Sequence, residues 1–90
     1  MLERSVVIKN ALGLHARAAA QLVRLAGRFK CRIAISRADN GISANAKSIL
    51  SVLHLAAAFG TLVRIEANGD DEAEAMQAIV RLFENGFGEI

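Results

Sequence analysis

The residue with the clearest potential for chemistry is His15, in the segment Gly13-Leu14-His15-Ala16-Arg17. The apolar spacing that follows predicts a helix over residues 16–26, so His15 precedes its first turn, where backbone N–H groups lack helical acceptors and the helix dipole is positive. Imidazole is nucleophilic near neutral pH, and a phosphoryl group on it would meet those amides and the guanidinium of Arg17. The pattern is typical of a phosphohistidine site, but the same residues also fit a plain helix start with a solvated arginine.

A second candidate is Ser48, which follows Asn45-Ala46-Lys47 at the start of another predicted helix. Serine is a preferred N-cap, worth about 1 kcal/mol relative to alanine. A phosphate on Ser48 would add a charge of about −1.5 to −2 at a helix N-terminus, beside Lys47. A structural cap and a regulatory phosphorylation site are both open interpretations of this serine.

The helix that begins at Ser48 has more apolar residues than one buried face needs. It is predicted to run to about Ala57, and four of its residues are assigned to the core: Val52, Leu55, Ala56 and Phe59. Three others lie elsewhere on the helix surface: Ile49, Leu50 and Leu53. Because a chain of 90 residues has little deep interior, we favour a partner-docking patch over burial for these three.

Composition and charge exclude several classes of protein. The chain fits one domain, residues 1–90, and its single cysteine, Cys31, forms no disulfide framework and no Cys/His zinc cluster, so we predict no metal and no cofactor. No secretory signal or membrane-spanning run is present, and a cytoplasmic location is expected. His54 has no Cys, His or carboxylate at ligand spacing and is predicted to lie at the surface.

The small net charge of +2 hides a division along the chain. Residues 1–64 hold ten basic and two acidic residues, whereas residues 65–90 hold one basic and seven acidic residues. A basic face attracts an acidic partner or an anionic group, and the acidic tail argues against indiscriminate nucleic-acid binding.

The remaining patterning places these residues on a fold. We assign strands to residues 5–9, 32–36 and 61–67 and a short strand after the Asn40-Gly41 turn. A final helix starts among the acidic residues 70–74, where negative charge is favoured, and ends at Asn85. The helical residues assigned to the core, besides those above, are Ala19, Leu22, Val23, Ala26, Met76, Ile79, Val80 and Phe83. The order β-α-β-β-α-β-α predicts an α+β open-faced two-layer sandwich, a four-stranded antiparallel sheet covered on one face by three helices.

Taken together, several segments resemble the HPr family of phosphocarrier proteins over about residues 4–87. They are Gly13 to Arg17, Ala19-Ala20-Gln21, the stretch Asn45 to Leu50, and the acidic final helix. The ending Leu82 to Phe87 is similar to the nitrogen-branch relatives called NPr.

The resemblance implies that His15 accepts a phosphoryl group on its Nδ1 atom from the phosphohistidine of enzyme I, which is charged by phosphoenolpyruvate. His15 would then pass the group to a IIA-type protein, and Arg17 would steady the phosphate. The protein would be a covalently phosphorylated carrier, expected to be a monomer, rather than a free-standing enzyme.

The resemblance also implies roles outside the phosphorylation site. Ser48 matches a serine that HPr kinase/phosphorylase modifies in many bacteria. We assign six residues to partner binding: Arg24, Arg28, Lys47, Ile49, Leu50 and Leu53.

This sequence departs from the family pattern in two places. Ala18 stands where the family usually has proline directly after the arginine. Alanine keeps a backbone N–H that proline lacks, so we expect a working site. The property that this change would affect is the rate of phosphoryl transfer. The interval from His15 to Ser48 is about two residues longer than usual, and we place the extra residues in the hairpin tip at residues 39–41.

Two other functions compete with the carrier. A regulatory binding domain of the same fold would act through Ser48 and the apolar patch without passing phosphate onward. The hypothesis of a small RNA-binding domain depends only on the basic residues in the first two-thirds of the chain. The sequence has no Gly-x-x-Gly clamp and no paired aromatic platform for RNA.

Overall fold

The computed structural model describes residues 1–89 and has the predicted order of strands and helices. The strands are β1 (Leu2–Val7), β2 (Arg32–Arg37), β3 (Ser43–Asn45) and β4 (Leu62–Asn68). The helices are α1 (Ala16–Ala26), α2 (Ile49–His54) and α3 (Glu72–Glu84), followed by a short 3₁₀ helix (Gly86–Gly88).

The four strands form one antiparallel sheet in the order β1-β4-β2-β3. The central strand β4 pairs with both β1 and β2, so that Val63 faces Val6 and Ile65 faces Ile35. Strand β3 extends the edge through pairing of Ala44 with Ile35. This topology confirms the predicted α+β open-faced sandwich.

One face of the sheet carries the apolar core. On β4, Val63 and Ile65 are fully buried, whereas the alternating residues Leu62 and Arg64 are exposed, because successive strand residues point to opposite faces. The helices contribute a larger set of buried side chains to the same core: Ala18, Ala19, Leu22, Ala26, Val52, Ala75, Met76, Ile79 and Phe83. Val23 and Val80, also assigned inward, are only half-buried at the margin.

The limits of the first strand were predicted incorrectly. The β-branched cluster at residues 5–9 suggested a strand there, but β1 lies at Leu2–Val7. Its first residues pair with the last residues of β4, Leu2 with Ala67, and this cross-strand pairing extends the strand into a segment with polar side chains. Beyond Val7, Ile8 still exchanges backbone hydrogen bonds with Gly60 and Thr61.

The second helix is shorter than its sequence predicts. It ends at His54, and Ala56 adopts a left-handed conformation with φ of 50°. The Arg37 guanidinium donates hydrogen bonds to the Leu55 and Ala56 carbonyls, at 2.9 and 3.2 Å, and so satisfies acceptors that a longer helix would have used internally.

The early helix end removes two residues from the predicted core. Val52 and Leu55 are buried as expected, but Ala56 is exposed and Phe59 is 64% exposed in the loop to β4. The assignment of Ala56 and Phe59 to the core was therefore wrong, because the chain leaves helical geometry before either residue can continue the apolar stripe.

Within residues 1–89, no helix combines the length and the apolar character that crossing a membrane requires.

Candidate functional site

His15 lies at the N-cap of α1, with extended backbone dihedrals, and its carbonyl accepts the first helical hydrogen bond from the Ala19 amide at 2.8 Å. Its imidazole forms no capping hydrogen bond to the helix, and the first turn contains no acidic side chain. Within residues 1–89, no side chain accepts a hydrogen bond from the amides of residues 16–18. The positive end of the helix therefore faces a reactive side chain with amides available for an anion.

A glycine before the histidine brings two loops into close contact. Gly13 has φ of 66°, and a Cβ atom there would lie 2.5 Å from the Ala57 carbonyl oxygen and 2.8 Å from the Ala58 Cα. The next amide, that of Leu14, donates to the same Ala57 carbonyl at 2.9 Å, and the Leu14 side chain is buried. These contacts fix the backbone on which His15 is held.

The imidazole of His15 contacts a carboxylate from the other end of the described chain. The distance from His15 Nε2 to Glu89 Oε2 is 2.5 Å. The second carboxylate oxygen, Oε1, accepts a hydrogen bond from Asn10 Nδ2 at 3.0 Å, and Asn10, which is fully buried, also donates to the Gly13 carbonyl at 2.7 Å. Hydrogen bonds from Asn10 and His15, with a smaller contribution from the positive charge of Arg17, lower the pKa of Glu89.

Neither Asn10 nor Glu89 was identified from the sequence. Asn10 lies in the loop between β1 and α1, and its position three residues before Gly13 is the only local signal for its bond to the glycine carbonyl. Glu89 is 74 residues away from His15 along the chain, and no spacing pattern connects the two.

Arg17 and Ala18 occupy the first turn of α1 with different exposure. Arg17 is exposed, so its guanidinium is free to reach a group held on His15. Ala18 is fully buried at the position of the expected proline, and alanine continues the helix from its first turn without a break.

Ser48 is the N-cap of α2, as predicted. Its hydroxyl oxygen accepts a hydrogen bond from the Ser51 amide at 3.4 Å, which is long for this type of bond. The preceding Lys47 turns away to another part of the fold, where its ammonium group donates to the Phe29 carbonyl at 2.6 Å. Lys47 thus joins the start of α2 to the loop after α1.

The three residues assigned to the apolar patch differ in exposure. Leu50 is 76% exposed and Ile49 is 39% exposed, whereas Leu53 is half-buried against the core. Two further exposed apolar side chains, Leu12 and Phe59, lie in the loops that the Leu14 amide and Ala57 carbonyl connect. Sequence analysis did not select Leu12, and it had placed Phe59 inside.

The two basic residues assigned to docking lie at the other end of α1. Arg24 is in its last turn and Arg28 follows it, and both are exposed. Among the residues that the structure describes, neither forms an ion pair, so both charges are available to an acidic partner.

Two remaining candidates have no part in this site. His54 is exposed at the end of α2, as expected. Cys31 lies directly before β2, and its burial, with the hydrogen bond to Asp71, raises the pKa of its thiol, which disfavours the reactive thiolate.

Comparison with known proteins defines the class to which this fold and site belong. The sequence profile described as "PTS HPr component phosphorylation site" matches residues 2–85, and the chain belongs to the HPr family. It is accordingly a phosphocarrier protein of the phosphotransferase system.

Individual relatives agree with this assignment over nearly the whole chain. The phosphocarrier protein HPr of Cupriavidus necator is 51% identical over 89 residues, which cover 99% of this chain and 98% of the relative. The phosphocarrier protein NPr of Proteus mirabilis is 44% identical over 86 residues, covering 96% and 94%. A crystal structure of HPr-C-His from Thermoanaerobacter tengcongensis superposes with a TM-score of 0.92 at 42% identity, covering 100% of this chain and 99% of that one.

Proposed function

We propose that His15 is the residue that carries the phosphoryl group, through its Nδ1 atom. The observation that carries the proposal is the position of His15 at the N-cap of an 11-residue helix. The His15 side chain does not bond to the amides of the first turn, so these amides can bind an anion. Glu89 occupies Nε2, so that Nδ1 is the ring nitrogen left for chemistry. Exposed Arg17, in the first turn of the helix, supplies a positive charge for the phosphate.

The donor is phosphorylated enzyme I, charged by phosphoenolpyruvate, and the acceptor is a IIA-type protein or domain. Both would dock on the surface formed by Ile49, Leu50 and Leu53, with Arg24 and Arg28 facing acidic groups of the partner. Exposure of Ile49 and Leu50 supports this assignment, since large apolar side chains left in water favour an interface. Lys47 contributes indirectly, by holding the start of α2 through the Phe29 carbonyl.

The chain in this proposal is a single cytoplasmic domain, residues 1–90, that works as a monomer. A relay must release one partner before it meets the next, and exposed docking residues suit such alternating contacts. Light scattering at micromolar concentration tests the monomer, with a mass near 9.6 kDa expected.

The decisive test follows the phosphoryl group itself. Incubation with enzyme I and phosphoenolpyruvate should produce an acid-labile, base-stable adduct of one phosphoryl group per chain. His15→Ala should abolish the adduct, whereas His54→Ala, which removes the exposed histidine of α2, should retain it. An adduct that survives His15→Ala, or none on the unaltered protein, would overturn the proposal.

A second role, regulation through Ser48, is favoured by its place at the start of the docking helix. A phosphate there would put negative charge beside Ile49 and Leu50 and would change what docks on them. An HPr kinase/phosphorylase would be the modifying partner. Treatment with such a kinase and ATP should label the protein and not Ser48→Ala, and the phosphorylated form should then accept phosphate from enzyme I more slowly.

A further inference from the structure

The contact between Glu89 and His15 extends the proposed function, on which this inference rests. We propose that Glu89 is a positioning residue for His15: its carboxylate holds the proton on Nε2 and thereby leaves the lone pair of Nδ1 as the nucleophile.

The direction of the hydrogen bond follows from the chemistry of the two groups. An ionised carboxylate has no proton to donate, so Nε2, 2.5 Å from Glu89 Oε2, must carry the hydrogen. In a neutral imidazole the other nitrogen is then unprotonated. Glu89 is kept ionised by the Asn10 amide, which donates to its other oxygen, and these contacts lower the pKa of the Glu89 carboxyl group.

The position of Glu89 is set by the fold rather than by the contact with His15 alone. After α3, the 3₁₀ helix buries Phe87, whose ring packs edge-on against Phe83 with centroids 5.0 Å apart. Gln21 of α1 donates to the Phe87 carbonyl at 3.2 Å, which ties this turn to the helix that begins at His15. Two residues later the Glu89 side chain, 20% exposed, reaches the imidazole, which is 25% exposed.

A carboxylate in this position suits both directions of transfer. When the Nδ1 lone pair forms a bond to phosphorus, the bond from phosphorus to the donor's nitrogen breaks and its electron pair stays on the donor. The ring, still protonated on Nε2, gains positive charge, which the Glu89 carboxylate offsets. When the phosphoryl group leaves for the acceptor, the electron pair returns to Nδ1 and restores the neutral ring. No proton has to move in either step.

An alternative role for the same contact is obstruction, with Glu89 occupying the place of the phosphate. Geometry argues against obstruction, since the carboxylate lies on Nε2 and Nδ1 is on the other side of the ring Cε1. The two roles predict opposite effects of removing the carboxylate, which makes the comparison decisive.

The first measurement is on the unphosphorylated protein labelled with ¹⁵N in its histidines. We expect a protected, downfield Nε2–H proton for His15 and an unprotonated Nδ1. In Glu89→Ala the Nε2–H resonance should broaden through exchange with water, and Glu89→Asp should restore part of its protection. An unaltered protein whose His15 is protonated on Nδ1 and not on Nε2 would overturn the inference.

The second measurement is the rate of phosphoryl acceptance from phosphorylated enzyme I. Loss of the carboxylate should lower kcat about 10-fold, equivalent to about 1.4 kcal/mol of transition-state stabilisation, with KM changed less than about twofold. The matched control is Glu74→Ala, which removes an exposed carboxylate from the first turn of α3 and should leave both constants unchanged.

The outcomes separate this inference from the proposed function. If the unaltered protein accepts phosphate and Glu89→Ala accepts it equally fast or faster, only the positioning role is wrong. If the unaltered protein accepts no phosphate, the proposed function fails, whatever the histidine resonances show.

Discussion

Leu50 offers the sharpest separation between folding and docking, because it is apolar, belongs to α2 and is 76% exposed. Full burial of a leucine side chain stabilises a fold by about 1.5–3 kcal/mol, so the quarter that is buried here contributes about 0.5 kcal/mol. Leu50→Ala should therefore lower the free energy of unfolding by no more than about 0.5 kcal/mol, and the higher helix propensity of alanine offsets part of that loss.

Docking should respond much more strongly to the same substitution. If a partner covers the exposed three-quarters of Leu50, truncation removes about 1–2 kcal/mol of binding free energy, which corresponds to a KM for the carrier about 10-fold higher. We expect kcat to stay within about twofold, since Leu50 takes no part in the chemistry at His15. The assay is steady-state phosphoryl transfer from enzyme I with the carrier as the varied substrate, together with urea unfolding of the same preparations.

Val52→Ala is the matched control in the same helix. Val52 is fully buried, so its truncation should lower the free energy of unfolding by about 2 kcal/mol and leave KM nearly unchanged while the protein stays folded. The reasoning would be refuted if Leu50→Ala left KM within twofold of the original value, or if it lowered stability as much as Val52→Ala.

Three further predictions concern other parts of the structure. Gly13→Ala should cost at least about 2 kcal/mol in urea unfolding, because it combines a positive φ with a Cβ 2.5 Å from the Ala57 oxygen, whereas Gly41→Ala, at φ of 72° with open space, should cost only about 1 kcal/mol. Ser48→Ala should lower Tm by about 3 °C in calorimetry, at the low end for a cap because its bond is long, and an unchanged Tm would show that the cap is not formed. Hydrogen bonds from the Lys30 and Cys31 amides lower the pKa of Asp71, so its contribution to stability is present above about pH 4 and is lost as the pH falls further; Asp71→Asn should flatten the acid limb of a plot of unfolding free energy against pH.

Local pattern was sufficient where local interactions decide the structure. Helix α1 has the predicted bounds, Ala16–Ala26, because an unbroken stripe of apolar residues leads to Gly27 and nothing elsewhere in the fold overrides it. His15 and Ser48 precede their helices as predicted, since histidine and serine there are followed directly by helix-forming segments.

Interactions between distant segments explain what the sequence could not predict. Helix α2 ends early because Arg37, on β2, binds the carbonyls of Leu55 and Ala56, and no residue inside the helix signals that end. The carboxylate that contacts His15 belongs to Glu89, which follows all four strands in the sequence. The segment around His15 therefore contains no signal that could predict this contact.

The hydrogen bonds from Arg37 also have a consequence for changes in the length of the β2–β3 hairpin. Arg37 lies at the base of the β2–β3 hairpin. Its guanidinium donates hydrogen bonds to the Asp39 carboxylate in the turn and to the Leu55 carbonyl at the end of α2. The hairpin turn, where the extra residues of this chain were placed, is thus joined through Arg37 to the end of the helix that carries the exposed Ile49 and Leu50. A change of turn length that displaced Arg37 would release the Leu55 and Ala56 carbonyls, so the length of the hairpin and the end of α2 cannot change independently of each other.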